Sequence, residues 1–183
     1  MGEAIKHCIA NLTNFQGRDS RGTFWWWVLA IVIVTFGLSF VSSMVFTVSS
    51  MSGAFQSIGS GADQAAIEAE MMQSMAGSLE IQTYIGAAIS FIGLLLVIPA
   101  FVRRLNDAGL PALIAVIPVI ALLVGTYFSL SFIGEMADVM ATGDLEAINE
   151  MTATTSLWGA ISWIGYLVVI VCGLIPGKYG SAD

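Results

Sequence analysis

The sequence predicts an all-α integral membrane protein of four transmembrane helices with both termini on the cytoplasmic side. Three observations carry that prediction. Of 183 residues, 57% are hydrophobic and only 10% are charged, whereas a water-soluble domain carries roughly 25% charged residues. The apolar residues gather into four runs, at about 24–48, 81–102, 112–133 and 157–175, each close to the ~20 residues a helix needs to cross a bilayer. All six basic residues lie beside the same face of that pattern.

The charge asymmetry sets the orientation. Lys6, Arg18 and Arg21 precede the first run, Arg103 and Arg104 separate the second from the third, and Lys178 follows the fourth. Segments rich in Lys and Arg are retained in the cytoplasm during insertion. The predicted inner segments also hold four acids (Glu3, Asp19, Asp107, Asp183), and the predicted outer ones hold nine acids and no base. The formal net charge of −7 is therefore an outer-loop property. With no dense basic stripe to neutralise phosphates, nucleic acid is excluded as a partner.

Residues 1–23 read as a cytoplasmic N-terminal segment of one membrane domain covering 1–183. Ile5, Cys8, Ile9 and Leu12 recur at helical spacing, which predicts a short amphipathic helix on the inner leaflet. The first apolar run exceeds the roughly 7–15 residues of a signal-peptide core, so it reads as a retained span. Trp25, Trp26 and Trp27 open it as boundary anchors, because an indole satisfies both its ring and its N–H at the headgroup level.

The outer connections, about 49–80 and 134–156, each predict a short amphipathic helix. Ile67, Met71, Met72 and Met75 align in the first; Met136, Val139, Met140, Leu145, Ile148 and Met151 do so in the second. These methionines read as adaptable packing rather than a soft-metal site. Within the second span Gly86, Ser90 and Gly93 share a face, and within the third Ala121, Gly125 and Ser129 do. Small residues so spaced let helix backbones approach, within one chain or between copies. The chain thus forms two hairpins of the same sense, and Ile98-Pro99 is echoed by Ile175-Pro176.

Chemistry-bearing residues are sparse. Cys8 and Cys172 both fall on the reducing side, which argues against a disulfide. His7 is the only histidine; with no second ligand at helical spacing it reads as a solvated side chain rather than a metal ligand. Neither a nucleophile elbow, a zinc-protease motif nor a phosphate-binding glycine loop is present. No enzymatic activity, cofactor or metal is expected.

Two strings stand out at the inner boundary. They are Phe15-Gln-Gly17-Arg18-Asp-Ser20-Arg21-Gly-Thr-Phe24-Trp25 and Arg103-Arg104-Leu105-Asn106-Asp107-Ala-Gly109. Together with the ending Pro176-Gly177-Lys178-Tyr179-Gly180, they resemble the signatures of the bacterial inner-membrane family known as domain of unknown function 805. The resemblance implies a bacterial inner-membrane location and transfers an architecture, not an activity. In that family the second string usually carries His where this chain has Asn106, so a proton-switch or metal role there is weakened.

Physically, Arg18, Arg21, Arg103 and Arg104 are expected to converge near the inner headgroup plane. Gly17 and Gly109 would permit tight turns. Asp107 would accept hydrogen bonds from an arginine of the other string, with Asp19 as a further partner, clamping the N-terminal segment to the bundle. Bidentate arginines also suit phosphate, so anionic lipid headgroups are candidate ligands of this cluster, Asn106 included. The expected function is a non-enzymatic accessory or interaction protein that contacts membrane lipids, a membrane-protein partner or its own copies. The alternative is a small oligomeric transporter or channel for a neutral or apolar solute. Ionisable residues inside the spans, which usually mark ion paths, are absent from the sequence runs.

Overall fold

A computed structural model describes residues 2–59, 63–142 and 145–178. The chain forms α1 (Gly2–Ala10), α2 (Arg21–Gly59), α3 (Gln64–Ala108), a 3-10 turn (Ala112–Ala115), α4 (Val116–Thr142) and α5 (Leu145–Leu174), with no strand among the described residues. Four segments, Arg21–Ser49, Gly77–Ala108, Ala112–Glu135 and Asn149–Leu174, are long and apolar enough to cross a membrane. They coincide with the four runs read from the sequence. α2 packs on α3, α3 on α4 and α4 on α5, while α3 also touches α5 and α1 lies against α2.

One expectation is corrected. The outer connections are not separate short helices: α2 runs on to Gly59, α3 begins at Gln64, α4 reaches Thr142 and α5 starts at Leu145. No proline interrupts 49–59 or 64–80, and extending an existing helix avoids the cost of nucleating a new one. Ile67, Val139 and Met151 are half-buried there; the side chains of Met71, Met72, Met75, Met136, Met140, Leu145 and Ile148 lie outside the described residues.

The buried core is concentrated at one end of the bundle. Cys8, Phe24, Trp27, Ile31, Ala100, Phe101, Leu105, Ala115 and Cys172 form one cluster, with Ile5 and Leu12 packed against it. α1 therefore turns Ile5 and Cys8 onto the bundle, and Leu12 just beyond it continues that face, a departure from the expected helix on the inner leaflet, while Ile9 of the same set stays exposed. Farther along, large apolar side chains such as Val32, Phe36, Phe40, Leu95, Leu123 and Leu167 point outward. A helix bundle whose outside is this apolar is built for a lipid solvent.

The tryptophan run divides by helical geometry. Trp26 is exposed and Trp25 half-buried, but Trp27 is buried, and its Nε1–H donates to the carbonyl of Leu96 at 2.9 Å. Consecutive residues project about 100° apart on a helix, so three adjacent indoles cannot share one boundary position. The anchor role read for Trp27 is replaced by an interhelical bond, made in the turn where Pro99 lacks the N–H that would reach the Leu95 carbonyl.

Candidate functional site at the arginine end of the bundle

α2 begins beside the last turn of α3. Ser20 caps α2: its Oγ accepts from the Thr23 N–H at 3.2 Å, the usual service of an N-cap serine. α3 ends on Gly109, whose φ of 71° lies in the left-handed region that favours glycine. The Leu110 N–H closes onto the Leu105 carbonyl at 2.9 Å and the Gly109 N–H onto the Asn106 carbonyl at 3.3 Å, a Schellman ending. Two of the sequence's distinctive strings are thus, in part, a helix start and a helix stop.

Between them the last turn of α3 binds three other segments. Arg103 Nε donates to Asp19 Oδ2 at 2.8 Å, and its Nη1 donates to the carbonyls of Asn11 at 2.6 Å and Asn14 at 3.0 Å. These carbonyls follow α1, beyond its regular helical bonding; that of Asn11 also accepts from the Asn14 N–H at 3.1 Å. Arg104 pairs with Asp107 of its own turn; its Nη2 donates to the Ile175 carbonyl and its Nε to the Gly173 carbonyl at 3.4 Å. Those two carbonyls lie at the end of α5. Asn106 Nδ2 donates to the carbonyls of Phe15 at 3.0 Å and Gly17 at 3.4 Å. The Lys178 N–H donates to the Asp107 carbonyl at 3.0 Å.

The charges of this hub are inside the protein. Arg103, Arg104, Asp19 and Asp107 are all buried, with Arg104 at 0% and Arg103 at 1% exposure. Burying a guanidinium is tolerable only where a counter-charge and hydrogen-bond acceptors replace water, and both arginines have them. His7 is not simply solvated: its Nε2 lies 3.1 Å from Asp19 Oδ1. Cys8 sits in the same layer, where burial, reinforced by Asp19, pushes its thiol up from the ordinary value.

The expected clamp is present with its partners exchanged. Asp107 does not reach an arginine of the first string but pairs within its own helical turn, and Asp19 supplies the inter-string ion pair. The reason is spacing: residues three apart are neighbours on a helix. Arg18 and Arg21, by contrast, are exposed rather than buried as Arg103 and Arg104 are. Gly17 is needed by this packing, since a Cβ there would fall 2.9 Å from Arg103 Cδ. Sequence reading missed Gly177, where a Cβ would lie 2.5 Å from Asp107 Oδ2, and Gly173, where it would lie 2.7 Å from Phe24 Cε1. Its only signal was the glycine-rich ending itself.

The small-residue faces also separate. Gly93 faces α2, where a Cβ would meet Thr35 Cγ2 at 3.1 Å, and Ala121 meets Gly165 of α5, whose added Cβ would lie 3.2 Å from it. Gly86, Ser90, Gly125 and Ser129 instead line a cavity of about 270 Å³ between α3 and α4, with Tyr166 of α5 at its edge. A Cβ at Gly86 would meet nothing within 4 Å. Those four do not form a closed seam within the chain.

An all-helical bundle with four membrane-length apolar helices, locked at one end by a buried arginine–aspartate hub, defines the class of this protein. The chain belongs to the family described as "Protein of unknown function (DUF805)", which matches residues 12–183. Neither the curated proteins nor the solved structures contain a match.

Proposed function

We propose that the chain is a non-enzymatic accessory protein of the bacterial cytoplasmic membrane, both termini inside, that contacts anionic lipid headgroups with the exposed cations around its arginine hub. The observation that supports this reading is the division of labour among the basic residues. Arg103 and Arg104 are buried and committed to carboxylates and carbonyls. Lys6, Arg18, Arg21 and Lys178 are exposed at the same end, near the exposed Ile9 and Phe15. Cations beside apolar side chains suit a headgroup boundary, each contributing about 1 kcal/mol near an anionic surface.

The hub's part in this reading is to hold the N-terminal segment and the C-terminal segment in place, so that the exposed cations keep a fixed arrangement. The test uses the full chain reconstituted in phosphatidylethanolamine–phosphatidylglycerol nanodiscs, with native mass spectrometry of lipids retained after extraction. Phosphatidylglycerol is expected to be enriched, and Arg18→Ala with Arg21→Ala to reduce that enrichment several-fold. Equal retention of both lipids would overturn the headgroup reading, and catalytic turnover by the purified protein would overturn the non-enzymatic one.

The transport alternative has one observation in its favour, the cavity that opens beside Gly125. Solute flux into proteoliposomes that vanishes in Gly125→Leu would favour it.

A further inference from the structure

The cavity between α3 and α4 has a chemistry that the inner-face reading does not use. Five hydroxyl-bearing residues, Thr83, Ser90, Thr126, Ser129 and Tyr166, are among those that line it. Thr83 spends its hydroxyl on the Leu79 carbonyl at 2.8 Å. Those of Ser90, Thr126, Ser129 and Tyr166 have no hydrogen-bond partner among the described residues. None of them is sealed off, because no fully buried side-chain oxygen or nitrogen among the described residues lacks a partner.

Depth makes this arrangement consequential. Ser90 lies thirteen positions before Arg103 and Thr83 twenty, which at 1.5 Å per residue places them about 20 and 30 Å from the arginine hub. With the hub at one boundary of a hydrocarbon core ~30 Å thick, the cavity sits in the half of the bilayer away from it. Water is scarce there, and a hydroxyl left without a partner is costly. A volume of about 270 Å³ far exceeds the roughly 10–15 Å³ that one water needs and approaches the lower end of small-molecule sites. Among the described residues the lining has no carboxylate, amine or guanidinium, which favours an uncharged ligand.

We propose that this cavity is a binding site for an uncharged polyol or ester group. Its hydroxyls can donate to ester carbonyls and accept from alcohols, and Gly86, where a Cβ would meet nothing within 4 Å, leaves room for a group to approach the backbone of α3. Two sources present this chemistry: the glycerol–ester region of a bilayer lipid entering sideways, and a small free polyol. The inference is independent of the headgroup reading, which concerns the opposite end of the bundle.

Gly86→Leu fills the space, and the empty surroundings of Gly86 keep the fold intact. A second variant, Ser90→Ala with Thr126→Val and Ser129→Ala, removes three hydroxyls at nearly constant volume. Gly37→Leu, also facing open space but outside the cavity, is the control. The full chain is reconstituted in phosphatidylethanolamine–phosphatidylglycerol vesicles of either diester or diether lipid, and retained lipid is counted by native mass spectrometry. Binding of glycerol or erythritol is followed in parallel by the exchange protection of α3 and α4 amides.

For a lipid source, diester lipid is retained over diether lipid, and about tenfold less is retained by both cavity variants and not by Gly37→Leu. For a free polyol, protection at millimolar polyol is lost in the cavity variants while lipid retention is unchanged. Either result supports the proposal. No difference between native protein and cavity variants in either measurement would overturn it. So would a change of oligomeric state in Gly86→Leu alone, which would make the space a docking face for a second copy.

Discussion

Asp19→Asn should release the N-terminal segment from the bundle. Asp19 is buried against Arg103, itself at 1% exposure, and the substitution keeps the side chain's size while removing the only carboxylate that Arg103 touches among the described residues. Breaking one partner of a buried ion pair costs about 3–5 kcal/mol, because the other charge stays buried without compensation. The described contacts of Arg103 are to Asp19 and to the Asn11 and Asn14 carbonyls, so the cost falls on the attachment of residues 2–20 rather than on the pairing of the long helices. Cys8 reports that attachment. Its side chain is fully buried and its thiol is pushed up, so maleimide reacts only when the segment opens. In the open segment the thiol is solvated in both proteins, and the ratio of labelling rates therefore reads the opening equilibrium. A 3 kcal/mol change corresponds to roughly 150-fold faster labelling, at 1.36 kcal/mol per factor of ten. Arg103→Met combined with Asp19→Asn should recover part of the loss, since an apolar replacement leaves no buried charge. It cannot recover all of it, because the Asn11 and Asn14 carbonyls would both lose Arg103 as a donor. Labelling of Asp19→Asn within threefold of the native rate would refute the clamp.

Three further outcomes follow from the same geometry. Gly177→Ala places a Cβ 2.5 Å from Asp107 Oδ2, an oxygen already held by Arg104, and should lower stability by about 1–3 kcal/mol, the usual range for overpacking; Gly37→Ala, which meets nothing, should not, as judged by thermal unfolding in detergent. Gly109→Ala forces a side chain into the left-handed region and toward Lys178 Cδ at 3.0 Å, costing about 1–2 kcal/mol, and amide exchange at Leu110 should rise as its bond to Leu105 loosens. Trp27→Phe loses the bond to the Leu96 carbonyl and should destabilise by about 0.5–1.5 kcal/mol, whereas Trp26→Phe, exposed, should be nearly neutral in the same unfolding measurement.

The four apolar runs were legible because a lipid solvent asks only for length and apolarity, properties that a linear sequence states directly. The helical spacing of Ile5, Cys8, Ile9 and Leu12 was legible too, but not what it meets: Ile5, Cys8 and Leu12 pack on the bundle instead of the inner leaflet, and Ile9 stays exposed. Partner choice at the hub was not. Arg103 and Arg104 differ by one position and look equivalent in the string, yet the helix sends one toward the carbonyls after α1 and the other toward those ending α5. Backbone carbonyls have no sequence signature, so the Asn11, Asn14, Gly173 and Ile175 acceptors could not be named in advance. The small-residue faces failed for a different reason. Spacing shows where helices can approach closely, but only the angle between α3 and its two neighbours decides whether that room is filled, as at Gly93, or left open, as at Gly86.

Why the hub consists of arginines follows from the direction of the chain. α1, α3 and α5 all end at this end of the bundle, which gathers the unsatisfied carbonyls and the negative dipole ends of three helices in one place. The N-termini of α2 and of the 3-10 turn before α4 lie at the same end with the opposite dipole sign, so it is the carbonyls, each needing a donor, that call for guanidinium groups. Lysine would supply the charge as a point, but each position must address a carboxylate and carbonyls from separate segments at once, and the planar guanidinium presents five donors in fixed directions. The pairing with Asp19 and Asp107 then keeps the buried layer close to neutral. The same positive residues that would retain this end in the cytoplasm during insertion are thereby consumed as helix caps once the bundle closes. Lys6, Arg18, Arg21 and Lys178 are the cations left on the surface, which is why any electrostatic contact with a membrane or a partner should respond to them and not to the buried pair.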